Sequence, residues 1–283
     1  MNRYIPLPLG LLLLAISVVY FITLPLAPMN LDSAEMSLHG FVVGVMHPPG
    51  YPLQVLYNAT FVRVLPLVRP LVAVGLGNVL LGLLTLFLFG KMAFEKAGHL
   101  GLSVVACLAL SPLFWEYATT PEVFIGLQLF ALGFVWVLYR PSLYRSRGFV
   151  LFLALSVLHH HFIIFLLPML VLAAKENLRE TRFHWWAFLC GVVCLAGYGI
   201  LLLMHPESVY SWGDIQTWED VLNHFLRRDY GTFSLGTKAS DGNFFERLKI
   251  LVTVVGENAW FPLVLISYFS AGSQRGQWGW VQK

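Results

Sequence analysis

Charge is scarce in this chain. Only 18 of 283 residues are Lys or Arg and 15 are Asp or Glu, so 12% are charged, roughly half of the 25% usual for a soluble domain. With 58% hydrophobic residues and a mean hydropathy of +0.71, its main solvent is expected to be lipid. The net charge of +3 comes without basic blocks or aromatic-basic interleaving, which removes nucleic acid from the partners. Cysteine is nearly absent. Cys107, Cys190 and Cys194 lie in apolar stretches, and the i,i+4 spacing of the last two is not a metal pattern, so they read as structural filler. No small-x-small cleavage signal precedes Pro28, and the apolar run from Leu7 to Ala27 behind Arg3 is expected to be a retained first span. Internal repeats are missing too, which gives an inverted-repeat transporter no support.

Long apolar runs are what the chain has instead. Spans of about 20 residues are expected at roughly 7–27, 71–90, 99–116, 121–139, 148–174, 184–204 and 248–271. The fifth is too long, holds His159, His160 and His161 in its middle, and contains Pro168. A single crossing there would put Lys175, Arg179 and Arg182 outside, against the excess of basic residues on the cytoplasmic side. Two half-helices that meet at the histidines and fold back restore the rule, with non-helical backbone lining protein or a wet cavity. The expected fold is therefore an all-α integral membrane bundle, polytopic, of about seven crossings plus this broken segment, over residues 1–271. Residues 272–283 form a polar cytoplasmic tail. Two long outer loops, about 28–70 and 205–247, are rich in aromatic, acidic and histidine residues. Within them Leu53–Leu65 and Trp218–Phe225 are expected to lie on the membrane surface.

Five constellations carry possible chemistry. Asp32 and Glu35 stand three residues apart, so on a helix they share a face and can act as a base with a partner; the same spacing also fits a capping box with Asp32 as the cap. The run His47-Pro48-Pro49-Gly50-Tyr51-Pro52 is a stiff turn that aims His47 and Tyr51, or a plain knuckle between helices. Glu116 and Glu122 flank the short outer connection after the third span, where Glu122 next to Pro121 also suits a helix start. The three histidines inside the fifth segment are costly unless they face a cavity or partner. Arg227 and Arg228, followed by Asp229 and Tyr230, supply guanidinium groups suited to phosphate, or to lipid headgroups or an ion pair with Asp229. Glu257 is a lone acid in the last span. Asn58-Ala59-Thr60 fits a glycosylation sequon, and Gly75, Gly77 and Gly82 read as helix-packing contacts.

In order and spacing these motifs resemble a known family. Asp32-Ser33-Ala34-Glu35 followed by Gly44 to Leu53 with its HPPGYP core looks like the N-terminal signature of multi-spanning proteins long labelled a domain of unknown function. Their animal members are endoplasmic-reticulum protein O-mannosyltransferases of plexin-type receptors. Ser111 to Trp115 leading to Pro121 to Phe124, the histidines ahead of Pro168, and Leu226 to Phe233 extend the likeness. The resemblance implies a C-type glycosyltransferase bundle, with a polyprenyl-phosphate sugar as donor and a protein or other hydroxyl as acceptor. It implies Asp32 as base, Glu35 as its aid, and Arg227 and Arg228 on the lipid phosphate. His47, Tyr51, Glu122, Tyr230 and one of His160 and His161 would line the pocket. It implies a bacterial inner membrane or endoplasmic-reticulum location with the active side non-cytoplasmic. No nucleotide-sugar motif appears, and no cofactor or metal is required. Family members continue for several more spans, so this chain is expected to be shortened relative to them. On the residues alone, a transporter or lipid-handling protein and a non-catalytic homologue stay open.

Overall fold

Proline and glycine punctuate this chain, and several of its helices begin or end at them. The computed structural model describes residues 6–138, 147–166, 168, 181–204, 210–231, 245, 246, 248–250, 252 and 253. Helix α1 (Leu7–Ile22) starts behind Pro6, and α2 (Leu31–Val42) starts at Asn30. Helices α3 (Pro52–Val64) and α4 (Pro70–Ala97) each begin on a proline, whose missing N–H would have been unpaired anyway. Then come α5 (His99–Leu110), α6 (Pro112–Thr119), α7 (Phe124–Leu138) and α8 (Arg147–His159), the last passing into a 3-10 turn at His161–Leu166. Helix α9 (Thr181–Gly199) tightens into a 3-10 turn at Ile200–Leu203, and α10 (Trp218–Phe225) precedes a 3-10 turn at Arg228–Tyr230. No strand occurs among the described residues.

Helix α4 is the hub, packing against α1, α2, α3, α5, α6 and α7. Small residues allow these contacts. A Cβ added at Gly77 would meet Tyr57 and Phe61 at 3.1–3.2 Å, and one at Gly82 would meet the Ala118 Cβ at 2.9 Å, the close approach that membrane helices favour. Apolar side chains also point outward. Leu11, Leu14, Val18 and Phe21 of α1 and Trp185, Phe188, Val192 and Leu195 of α9 are exposed at helical spacing, a surface suited to lipid rather than water.

The expected seven crossings are not what the described residues contain. Two helices are long and apolar enough to cross a membrane, α4 and the stretch His184–Leu203, or three if the bent pair α5–α6 counts as one. At about 1.5 Å per residue the 28 residues of α4 reach roughly 42 Å, enough for the hydrocarbon and both headgroup layers. The run read as one span over 99–116 breaks by 66° between Leu110 and Pro112, because Pro112 cannot donate to the turn before it. Helix α1 stops at Ile22, short of Ala27, and α1 and α7 are apolar but shorter than a full span. The helix does break at the histidines, with α8 ending at His159. The proposed return through 174, most of the last span with Glu257, and the tail lie outside the described residues. Helix α3 packs between α2, α4 and α8, with Gln54, Val55, Asn58 and Val62 buried. Asn58 is fully buried and donates to the Met36 carbonyl, so the sequon at Asn58 is closed to glycosylation.

Candidate functional site

Helix α2 sets the first groups. Its cap is Asn30, not Asp32: the Asn30 Oδ1 accepts the Ser33 N–H at 2.6 Å, and the Ser33 hydroxyl receives the Asn30 N–H at 3.1 Å. A cap must precede the first helical residue, and the chain turns helical at Leu31, which leaves Asp32 in the first turn with its carboxylate exposed. Glu35 follows one turn later and is held by His47. Its Oε1 accepts the His47 backbone N–H at 2.7 Å, and its Oε2 accepts the His47 Nδ1–H at 2.5 Å.

The proline-rich turn aims these partners. Gly50 closes it by donating to the His47 carbonyl at 2.9 Å, and its φ of +91° is one that only glycine adopts without strain. A Cβ there would also meet the His224 ring at 3.1 Å. The His224 Nε2–H in turn donates to the Met46 carbonyl at 2.8 Å, tying α10 to the turn from 178 residues away. Tyr51 is buried, with its ring 5.2 Å from both the His47 and the His160 rings, and its hydroxyl 3.3 Å from the His47 Nε2.

Glu122 belongs to the connection between α6 and α7 and is only 4% exposed. The Asn30 Nδ2 donates to its Oε1 at 3.0 Å, so the residue that caps α2 also anchors this acid. From below, the buried Asn78 of α4 donates to the carbonyls of Thr120 at 2.6 Å and Glu122 at 2.9 Å. His159 donates through Nε2 to the Val123 carbonyl at 3.0 Å, locking α8 to the same connection. His160 accepts the Phe162 N–H on Nδ1 at 3.1 Å, which leaves the proton of a neutral ring on Nε2.

The last wall comes from the turn after α10. Arg227 takes a left-handed conformation (φ 55°), places its guanidinium carbon 5.2 Å from the Tyr230 ring centroid, and has a buried Nε–H with no hydrogen-bond partner among the described residues. An orphaned buried donor and a strained non-glycine backbone on one residue are features that functional sites concentrate.

These pieces enclose a cavity of about 810 Å³. Of the residues singled out in the sequence, Asp32, Glu35, His47, Tyr51, Glu122, His160, Arg227 and Tyr230 line it. His161 and Arg228 do not. His161 stacks against His160 with centroids 5.1 Å apart, and Arg228 is exposed. Asn30, Asn78 and Trp212 were missed. Amides carry no sequence signal for such roles, and Trp212 sits in a turn without a motif.

Electrostatics separate Glu35 from Glu122. Burial alone would push Glu35 up, but the hydrogen bonds and charge of His47 bring it below the usual 4.5. Burial would push His47 down, and the bond and charge of Glu35, helped by Asp32, lift it above 6.5 instead. Glu122 is raised to about 7, mainly by burial and then by the charge of Asp32, with Asn30 opposing. Asp32, Glu35 and His47 each offer a ligand atom within 4.8 Å of the others, and two carboxylates with an imidazole suit a divalent cation.

Against known proteins the chain matches curated sequences over most of its length. It is 26% identical over 239 residues to "Protein O-mannosyl-transferase TMEM260" of Mus musculus, covering 78% of this chain and 34% of that one. It is 24% identical over 273 residues to "Protein O-mannosyl-transferase tmem260" of Dictyostelium discoideum, covering 86% and 33%. The chain is a distant relative of protein O-mannosyl-transferases. It spans about a third of the length of these relatives. No protein-family model matches it, and no solved structure does. The apolar helices and the membrane-protein names of these relatives agree on a membrane protein.

Proposed function

We propose that this chain transfers a hexose, mannose being the first candidate from its relatives' names, from a polyprenyl-phosphate donor to an acceptor hydroxyl at the non-cytoplasmic membrane face. The observation that carries this reading is one cavity lined by two carboxylates on α2 and by the guanidinium of Arg227 nearly 200 residues later, whose buried Nε–H has no partner among the described residues. Glycosyl transfer with inversion needs that pair: a base for the acceptor proton on one side of the anomeric carbon and a cation for the departing phosphate on the other.

In this scheme Asp32, exposed to the cavity and free of capping duty, takes the acceptor O–H proton. The acceptor oxygen forms a bond to the anomeric carbon as the bond from that carbon to the phosphate oxygen breaks, and the electron pair leaves with the lipid phosphate. Arg227 stabilises the charge that collects there, through a guanidinium that needs no rearrangement. Glu35, held by His47 at both oxygens, keeps a fixed negative charge beside the anomeric carbon, where positive charge develops. Glu122, protonated in part near neutral pH, and His160, with its Nε2–H, offer donors to sugar hydroxyls.

The test is transfer of radiolabelled mannose from a prenyl-phosphate donor to acceptor protein in membranes. Asp32→Asn is expected to lower transfer by about 10²–10⁴-fold, the usual effect of losing a general base. Expression and melting should not change. Transfer at the wild-type rate would remove Asp32 as the base.

A further inference from the structure

The turn at Tyr210–Gly213 has no part in the scheme above, yet it is held firmly. The His39 Nε2–H donates to the Tyr210 carbonyl at 2.6 Å, the Val45 N–H to the Ser211 hydroxyl at 3.1 Å, and the Trp212 N–H to the Val45 carbonyl at 2.8 Å. Three bonds across more than 160 residues of chain fix the backbone, while the Trp212 side chain stays 41% exposed and lines the cavity. A large indole left open on a pinned turn is a built surface, since a ring that only filled space would be covered.

Its neighbours say what the surface is for. Trp212 lies nearly parallel to Tyr230, at 25° with centroids 6.1 Å apart, and meets the His47 ring at 71° and 6.2 Å. Arg227 sits on Tyr230, and His47 grips Glu35. The wall therefore runs from the guanidinium through Tyr230 and Trp212 to the carboxylate pair. In a lipid-phosphate sugar the ring hangs from the phosphate by one oxygen, so with the phosphate on Arg227 the ring falls along this wall. One face of a pyranose is a patch of C–H groups with slight positive charge, which complements the negative face of an aromatic ring. Resting on the donor reading of the proposed function, we infer that Trp212, backed by Tyr230, is the platform on which the donor's pyranose ring packs, and that it selects sugar-bearing over bare lipid phosphate.

The experiment compares binding of a short prenyl phosphate, with and without mannose, to the whole 283-residue chain in nanodiscs. The wild-type protein should bind the sugar-bearing lipid more tightly. Trp212→Ala should weaken that binding about tenfold and leave the bare lipid phosphate within about twofold. Trp212→Phe, which keeps a ring, should restore most of the loss, and it also serves if Trp212→Ala lowers the melting temperature. Arg227→Gln should weaken both ligands. Equal weakening of both by Trp212→Ala and Trp212→Phe, or weakening of neither, overturns the platform. Equal wild-type affinity for the two lipids also overturns the platform and leaves the lipid-phosphate reading standing. Wild-type binding of neither overturns the proposed function, and the platform falls with it.

Discussion

Glu35 commits both carboxylate oxygens to one residue, His47, and the pairing makes the two side chains report on each other. Glu35 is shifted down, so its stabilising contribution is present above 4.5 and is lost as pH falls through its lowered value. His47 is shifted up, so its contribution is fully present below 6.5 and is lost as pH rises through its raised value. Both hold between those limits. The melting temperature of the wild-type chain is therefore expected to exceed that of Glu35→Gln most between pH 4.5 and 6.5, with the gap closing on either side. In the same variant the His47 resonance, assigned by difference with His47→Gln, should titrate at lower pH than in the wild type. A gap that does not vary with pH would show the pair to be uncharged.

Helices and turns are joined around the cavity by amide side chains more than by ion pairs. Asn78 donates from the middle of α4 to carbonyls that the non-helical link between α6 and α7 leaves free, and that link holds Glu122. Without the amide, two buried acceptors lose their partner. Asn78→Ala is expected to destabilise the chain by about 1–3 kcal/mol, read from thermal or denaturant unfolding in detergent. It should also loosen Glu122 enough to lower transfer. A change below about 0.5 kcal/mol, the level of an indifferent surface substitution, would mean other groups satisfy those carbonyls. Asn30 to Glu122 is a second such amide link, and the imidazoles of His159 and His224 bond the Val123 and Met46 carbonyls across similar stretches of chain.

The bundle as one body has a polarity that follows from α4. The cavity-lining Glu122 is bonded by Asn78 near the proline end of α4, and Lys91 and Lys96 mark the other end. With basic residues held inside, a cysteine at Leu67, which is fully exposed, should react with an impermeant maleimide from the outer side in a cysteine-free background. A cysteine at Lys96 should react only after the membrane is opened. Reaction of both from one side would overturn the orientation, and with it the outer placement of the cavity.

Much of this protein is legible without coordinates. A chain poor in charge and rich in apolar runs has to satisfy its backbone inside helices, so the all-α membrane class follows from composition. Asp32, Glu35, His47, Tyr51, Glu122, His160, Arg227 and Tyr230 stand out because polar or titratable groups are rare in such a chain, and their order along it supplies the family likeness. What only the tertiary structure decided is which of them meet. A one-residue step along a turn or helix sends a side chain to a different side, and so His160 and Arg227 line the cavity while His161 and Arg228 do not. The cap fell to Asn30 because the helix begins at Leu31, ahead of Asp32, and the third apolar run breaks at Pro112, where the missing N–H frees the helix and the packing around it sets the new direction. Asn78 and Trp212 were beyond reach for the same reason. An amide or an indole has no chemistry of its own to announce, and it gains a role only from what lies across from it.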